Sequence, residues 1–592
     1  MPTVNLPALP SKGQIVVASV FVHEGDTVQA GQELFSVETG KSTVPITAPT
    51  SGVIMRVAVA AGDTVATRDV LAVIEEQGEE TLPHQDQKPA SSESEPATAH
   101  KKTGAEHAEL LVIGGGTGGY VAALYAAKQG MRVTLVERDK LGGTCLNRGC
   151  IPTKALISSS SLHRAILHAA EWGLEVDGVV RPNMPAIIER KDRIVDGLLN
   201  GVEYLMQANH IRVIRGTACF EGNGIVAVSL DDASLDGGAH KTFASGQDED
   251  APAHNGNTMR FTYNDCIIAT GSTIRTLDLP GADLPEVMNT DEALACEDLP
   301  SSIVIVGGGV TGMEFAFLYA NLGVDVTVIA RRGRVLHVFD EDASREIAHS
   351  AVDRGIKIEL NGDVKGFELQ PDGLVRTTYV TGSETHEVIS ERVLVAGGRV
   401  PTTQGLGLET VGVALDTRNG AVLVDENMRT NVDHLYAIGD VNGLVMLAHA
   451  ASYQGRIAVS NILKREDSFN KAIVPSVAYT DPEVATVGVS VDESHADAER
   501  YKVGTFSFAH NGKALAEGDA TGYVALVSDE ANLLKGATIV GSHASALIGY
   551  IATAISAGLS CEAIQQAVFA HPTTSEAIHE AACDLTFGAL HE

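Results

Sequence analysis

Two cysteines five positions apart, in Gly142-Gly143-Thr144-Cys145-Leu146-Asn147-Arg148-Gly149-Cys150-Ile151-Pro152-Thr153-Lys154, are the residues of this chain best placed to do chemistry. Paired thiols serve a metal site, a structural cross-link or a redox couple. Zinc needs four ligands, and the chain has no second close cysteine pair to complete a set, so no metal is expected. A structural cross-link belongs to oxidising compartments. The seven cysteines (145, 150, 219, 266, 296, 561, 583) are sparse for 592 residues, and Met1-Pro2-Thr3 begins no basic leader. In a reducing compartment a disulfide that persists is usually catalytic, so Cys145 and Cys150 read as a redox pair.

A redox pair needs an electron partner, and two nucleotide-fold patterns supply candidates. Leu110-Leu111-Val112-Ile113 reads as a buried strand, Gly114-Gly115-Gly116-Thr117-Gly118-Gly119 opens an Ala-rich helical run, and a second strand from Arg132 to Val136 ends at Glu137. Gly114, Gly116 and Gly119 permit the tight turn and close approach, the helix N-terminus faces pyrophosphate, and Glu137 is placed for ribose hydroxyls. Ile303-Val304-Ile305-Val306 followed by Gly307-Gly308-Gly309-Val310-Thr311-Gly312 repeats the pattern, with its own glycines Gly307, Gly309 and Gly312 and a strand from Asp325 to Ile329. Glu137 lies 23 residues after Gly114, but the residue 23 after Gly307 is Ala330. The acid that would favour an unphosphorylated ribose is missing, and Arg331, Arg332 and Arg334 follow at once. Guanidinium groups at a strand end can pair bidentately with a 2′-phosphate, so NADP(H) is expected to serve at least as well as NAD(H).

The cysteine segment resembles the active-site motif of the flavin-dependent pyridine nucleotide-disulfide oxidoreductases. Within them it is most similar to the dihydrolipoamide dehydrogenases, and the resemblance covers residues 108–592. The family's usual Val and Ser are here Arg148 and Thr153; the arginine puts positive charge between the cysteines, where it is expected to depress a thiol pKa or alter access. The resemblance implies that the first fold, with Gly143 and Thr144, binds FAD. It adds Thr270 and Gly271 from Ile267-Ile268-Ala269-Thr270-Gly271-Ser272, and Gly439, Asp440 and Ala448 at and beyond Tyr436-Ala437-Ile438-Gly439-Asp440, with Asp440 on the ribityl chain. The second fold then takes the nicotinamide nucleotide, Gly397-Gly398-Arg399-Val400-Pro401 matches the family's turn with Gly398 and Arg399 kept, and Lys154 and Glu314 pair near the flavin. Cys145 would exchange with substrate and Cys150 contact the flavin.

His571-Pro572-Thr573-Thr574-Ser575-Glu576 matches the family's carboxy-terminal His-Pro-Thr-x-x-Glu, whose histidine reaches across a two-fold interface to the partner's disulfide. Imidazole titrates in the range needed to take a thiol proton, and Glu576 would orient the ring and stabilise its cation. An obligate homodimer is implied. The activity implied is oxidation of protein-bound dihydrolipoamide through FAD to NAD(P)+, for a 2-oxoacid dehydrogenase complex or the glycine cleavage system. An NADPH-driven reductase of a small disulfide, of the glutathione reductase type, is the alternative that Arg331, Arg332 and Arg334 favour. Mercuric reductase matches less well, because Cys583 stands alone where that protein has a carboxy-terminal pair.

Residues 3–76 show short Val/Ile-rich runs broken by turns, and they repeat internally: Gly25-Asp26-Thr27-Val28 recurs as Gly62-Asp63-Thr64-Val65. Two such halves are expected to close into one flattened barrel, with Gly40 and Lys41 at a hairpin between them. The region resembles a lipoyl domain, in which such a lysine carries lipoic acid; the usual Glu-Thr-Asp-Lys has Gly40 for Asp, and the methionines that flank a biotinyl lysine are absent. Gly40-Lys41-Ser42-Thr43 also mimics the end of a phosphate loop, but the glycine required five positions earlier is Phe35. A lipoyl carrier or scaffold protein is therefore the alternative from another class. Residues 77–107, polar and Pro-containing, read as a flexible linker whose root-mean-square span is on the order of 30 Å.

The expected architecture is multidomain: an all-β lipoyl-like flattened barrel (1–76), a linker (77–107), an α/β FAD-binding domain (108–276 and 396–470) enclosing an α/β NAD(P)-binding domain (277–395), and an α+β dimerisation domain (471–592). A Gly-, Asp- and His-rich stretch near 232–258 reads as an inserted surface loop. The formal charge of −33 argues against nucleic acid or an anionic membrane as partner, and no stretch is apolar enough to span a bilayer, so a cytoplasmic protein is expected.

Overall fold

The structure is a computed structural model that describes residues 3–5, 15–28, 32–39, 42–48, 52–65, 69–75, 105–222, 224–230 and 257–592. The chain divides into two compact units, 1–99 and 100–592. Lys41, the stretch 77–104 of the expected linker and most of the expected insertion, through 256, lie outside the described residues.

The first unit is two four-stranded sheets, in the orders Thr3–Asn5, Val70–Glu75, Gly52–Val57, Thr27–Val28 and Ser42–Thr47, Glu33–Thr39, Ile15–Val20, Thr64–Val65. The repeated Gly-Asp-Thr-Val segments explain the pairing. Gly25 and Gly62 both turn with positive φ (95° and 97°), and Asp26 and Asp63 accept the backbone N–H of His23 (2.7 Å) and Ala60 (2.8 Å). Each turn sends its short strand into the other half's sheet: Thr27 pairs with Val53, and Thr64 with Val16. Leu34, Phe35, Val37, Ile54, Leu71 and Ile74 are fully buried between the sheets. Glu33–Thr39 and Ser42–Thr47 pair antiparallel in a register that brings Thr39 opposite Ser42.

The second unit carries a mixed sheet, a parallel sheet and an antiparallel one, each with its helices. The first sheet runs Ile225–Leu230, Arg212–Gly222, Val133–Glu137, Glu106–Ile113, Thr258–Ile268, Leu435–Ala437. The second is wholly parallel, Val287–Asn289, Arg392–Val395, Ser302–Val306, Asp325–Ala330, Lys357–Leu360, beside a three-stranded antiparallel sheet over 363–390. Strands buried on both faces are continuous apolar runs, as in Ile303, Val304 and Ile305. The third sheet, of five antiparallel strands between Ser476 and Val540, packs against the helices Ala544–Ser556 and Glu576–Asp584.

Side chains tie the antiparallel domain to the second nucleotide fold. Buried Asp340 accepts the backbone N–H of Asp492 (3.0 Å) and a hydrogen bond from Thr538 Oγ1, while Asp492 accepts the N–H of Glu341 (3.0 Å). No helix among the described residues is long and apolar enough to cross a membrane.

Candidate active site

Cys145 sits in the short helix Gly143–Arg148, and Cys150 is the first residue of the helix Cys150–Leu167. At a helix start the backbone N–H groups and the helix dipole favour an anion, and there Cys150 is the exposed member of the pair. Both are thiols, joined by a hydrogen bond that separates their acidities. The bond from Cys145 lowers the Cys150 pKa; burial opposes it, the Lys154 charge supports it, and the result is about 7. Cys145 is pushed well up by the same bond and by burial, against a hydrogen bond from Thr117. The pair thus shares one proton unequally, with the thiolate favoured on Cys150.

The cation beside Cys150 is Lys154 rather than Arg148. The Arg148 guanidinium is paired with Asp139, so the expected lowering of a thiol pKa falls to the lysine one helical turn after Cys150. Lys154 Nζ lies 2.9 and 2.8 Å from the two carboxylate oxygens of Glu314, whose side chain is only 5% exposed in the helix Val310–Asn321. Thr153, in place of the family's Ser, donates its hydroxyl to the Gly149 carbonyl (2.7 Å).

Around the thiols the first fold builds a dinucleotide cradle. Gly114 has φ of 105°, and a Cβ there would lie 2.3 Å from the Ala269 carbonyl; one on Gly119 would lie 1.8 Å from the Gly114 carbonyl. The helix Thr117–Lys128 begins at Gly116 with no side-chain cap, leaving its first N–H groups for a ligand. Glu137 accepts the N–H of Gly115 (2.6 Å) and of Asp139 (2.7 Å), so this carboxylate holds the loop itself. Gly143 (φ 56°) passes so close to Gly116 that a Cβ would lie 2.7 Å from its Cα.

Arg399 links Thr144, Ser272 and Asp440. Its guanidinium donates to Ser272 Oγ (2.7 Å), the Ser272 carbonyl (2.7 Å) and Thr144 Oγ1 (3.2 Å), and Ser272 Oγ donates to Asp440 (2.5 Å). Burial raises the Asp440 pKa against the lowering effects of Ser272 and Arg399. Thr270 donates to the Thr402 carbonyl (2.7 Å), Gly271 and Gly398 turn with positive φ, and Ala448 opens the helix Ala448–Ile462. Gly439 N–H donates to Gln454 (2.7 Å). Replacing Gly119 with Ala is expected to weaken flavin retention by about 5- to 150-fold, because overpacking against backbone costs about 1–3 kcal/mol. The flavin-to-protein absorbance ratio after gel filtration measures it, and an unchanged ratio would refute the cradle.

The second fold repeats the cradle. Gly307 (φ 129°) and Gly312 are closed to a Cβ by the carbonyls of Ala396 (2.5 Å) and Gly307 (1.8 Å), while Gly309 has nothing within 4 Å and starts an uncapped helix. Ala330 ends its strand fully buried, and Arg331 and Arg332 lie exposed just beyond. Arg334 is differently employed: it donates to the carbonyls of Phe339 (3.0 Å) and His337 (3.4 Å) and lies 3.6 Å from Asp492. It braces the loop against the antiparallel domain, so that of the three arginines only Arg331 and Arg332 are exposed.

His571 Nδ1 is 2.9 Å from Glu576, which also accepts the Thr573 N–H (2.8 Å). The imidazole is 80% exposed. Two residues at the site went unrecognised in the sequence. Gln454 carries no motif signal, and Tyr479, whose N–H donates to Glu314 (3.0 Å) and whose ring lies 4.4 Å from Lys154 Nζ, stands about 165 positions from its carboxylate partner.

Two nucleotide cradles converging on an asymmetric thiol pair define a dinucleotide-dependent dithiol–disulfide oxidoreductase. The chain belongs to the pyridine nucleotide-disulphide oxidoreductase family, whose sequence pattern matches residues 108–455, with the family's dimerisation domain at 474–582. Residues 3–74 match the pattern described as a biotin-requiring enzyme, giving a biotin/lipoyl-like domain ahead of it. The dihydrolipoyl dehydrogenase of Haloferax volcanii is 38% identical over 487 residues, which cover 82% of this chain and 97% of the relative. That of Geobacillus stearothermophilus is 36% identical, over 80% of this chain and 95% of its own. Among solved structures, LpdA of Mycobacterium tuberculosis superposes with a TM-score of 0.72 at 27% identity, covering 81% of this chain and 99% of that one. The HOCl-induced flavoprotein disulfide reductase RclA of Escherichia coli, as a Cu(II) complex, does so at 0.68 and 26%, over 81% of this chain and 99% of its own. The chain is thus a homologue of dihydrolipoyl dehydrogenase, a FAD- and NAD(P)-dependent disulfide oxidoreductase.

Proposed function

We propose that the protein oxidises protein-bound dihydrolipoamide to lipoamide as a homodimer, serving a 2-oxoacid dehydrogenase complex or the glycine cleavage system. The observation that carries this reading is the placement of the two cysteines, Cys145 in the short helix Gly143–Arg148 and Cys150 at the start of the next, one turn before the Lys154–Glu314 pair. His571 of a second copy, oriented by Glu576, takes a proton from one substrate thiol. The resulting thiolate attacks Cys145 Sγ of the oxidised pair; a substrate–Cys145 disulfide forms, the Cys145–Cys150 bond breaks, and Cys150 leaves as a thiolate. The second substrate thiol displaces Cys145 and its proton passes to the Cys145 sulfur, so lipoamide departs oxidised and the pair is left reduced by two electrons. FAD held by Gly114, Gly116, Gly119, Thr144, Asp440 and their neighbours supplies the two-electron acceptor between this dithiol and the nicotinamide. The Lys154 charge supports the Cys145 hydrogen bond in favouring the Cys150 thiolate.

Steady-state oxidation of free dihydrolipoamide, compared with NAD+ and NADP+, tests the reading. Absence of turnover with either nucleotide, in a protein that retains flavin, would overturn it. Reduction of a small disulfide by NADPH is the second reading, favoured by the exposed Arg331 and Arg332. Lys41 is proposed to carry the lipoyl group, supported by the biotin/lipoyl-like domain and the register of its flanking strands. Lys41→Arg is expected to remove the mass of one lipoyl amide from the intact protein; a mass increment unaffected by the substitution would place the group elsewhere.

A further inference from the structure

The Lys154–Glu314 pair is completed by a third residue from a third domain. Lys154 comes from the first nucleotide fold, Glu314 from the second, and Tyr479 from just beyond the strand Ser476–Ala478 of the antiparallel domain. Tyr479 touches both partners: its backbone N–H donates to Glu314 Oε1 (3.0 Å), and its ring face lies 4.4 Å from the Lys154 ammonium. We infer that Tyr479 is a positioning residue for the thiol chemistry, its ring forming the wall that holds the Lys154 ammonium on the Cys150 side. The inference rests on the reading that Cys150 works as a thiolate.

Lysine is a point charge on a flexible stem, and this one remains 30% exposed, so the ion pair alone leaves it room to turn toward water. A ring face attracts a cation through its quadrupole and shields one side from solvent. Position matters because the neighbouring charges oppose each other. Cys145 and Lys154 lower the Cys150 pKa while Glu314 raises it, so a lysine that drifts leaves the carboxylate acting against the thiolate. The half-buried Arg399 is a further cation that interacts with Cys150. The Tyr479 hydroxyl is kept neutral: burial raises its pKa, and Glu483, Glu314 and both thiols raise it further. The ring therefore adds no negative charge beside the sulfur.

The test is the pH dependence of Cys150 alkylation by iodoacetamide in the flavin-containing Cys145→Ser protein, with the label located by peptide mass. Tyr479→Leu, which keeps apolar bulk but removes the ring face, is expected to raise the midpoint by about one pH unit, a tenfold loss of thiolate below it. Tyr479→Phe is expected to hold the midpoint within about 0.3 units. Pentafluorophenylalanine at position 479, isosteric but with its quadrupole reversed, should move it as leucine does and removes any doubt about folding. In a Lys154→Met background Tyr479→Leu should add no further shift. An unmoved midpoint in the leucine and fluorinated proteins, an equal shift in the phenylalanine protein, or a shift that persists without Lys154 would each overturn the inference. Because the assay reads the thiol itself, it stands apart from whether dihydrolipoamide is the substrate.

Discussion

Cys150→Ser is expected to abolish dihydrolipoamide oxidation, by at least about 10⁴-fold, while nicotinamide-dependent reduction of ferricyanide, which needs no dithiol, is retained. His571→Gln is expected to lower the same turnover by about 10²–10⁴-fold, the usual worth of a positioned general base. The decisive form of the experiment mixes two inactive chains. His571 is exposed, with Glu576 as its hydrogen-bond partner, and the proposed mechanism takes the base from a second copy. Randomly reassorted dimers of Cys145→Ser and His571→Gln chains would then recover about a quarter of the wild-type sites, since half the dimers are mixed and each rebuilds one site. No recovery, with mixed dimers shown to have formed, would exclude a shared site.

Replacing Arg331 and Arg332 together with Ala is expected to raise the KM for NADP+ by about tenfold per guanidinium, from the loss of charge-assisted bonds worth about 1.5–3 kcal/mol each. The KM for NAD+ should stay within about twofold, because both side chains are exposed and surface substitutions disturb a fold little. Parallel KM measurements decide it: equal rises would mean that the arginines act on the loop and not on a phosphate. Arg334→Ala is a poor substitute, since it would free the Phe339 and His337 carbonyls and the contact with Asp492.

The features legible in the chain were those that backbone sterics leave little freedom to vary. Gly114, Gly119, Gly307 and Gly312 stand where a Cβ would meet a carbonyl at 2.5 Å or less, so the two nucleotide folds announce themselves. The Gly-Asp-Thr-Val repeat was visible for a similar reason, because positive φ at Gly25 and Gly62 and the aspartate turn demand those residue types. Contacts between distant segments left no such mark. The diversion of Arg148 to Asp139, the use of Arg334 as a brace and the place of Tyr479 over Lys154 depend on which side chains the finished fold brings together. Charge and spacing in one dimension cannot distinguish an arginine that is free from one already engaged.

The exchange of short strands in the first unit bears on when that unit can mature. Ile15 pairs with Val65 and Thr27 with Val53, so neither sheet closes until nearly all of the unit has been synthesised. A nascent chain that has released residues up to Thr47 can pair Ile15–Val20, Glu33–Thr39 and Ser42–Thr47, but it lacks Gly52–Val57, Thr64–Val65 and Val70–Glu75, so the apolar face of those three strands has no opposing sheet to cover it. An attaching enzyme that selects its lysine by the shape of a folded domain would thus pass over the growing chain and act only once the second half has emerged.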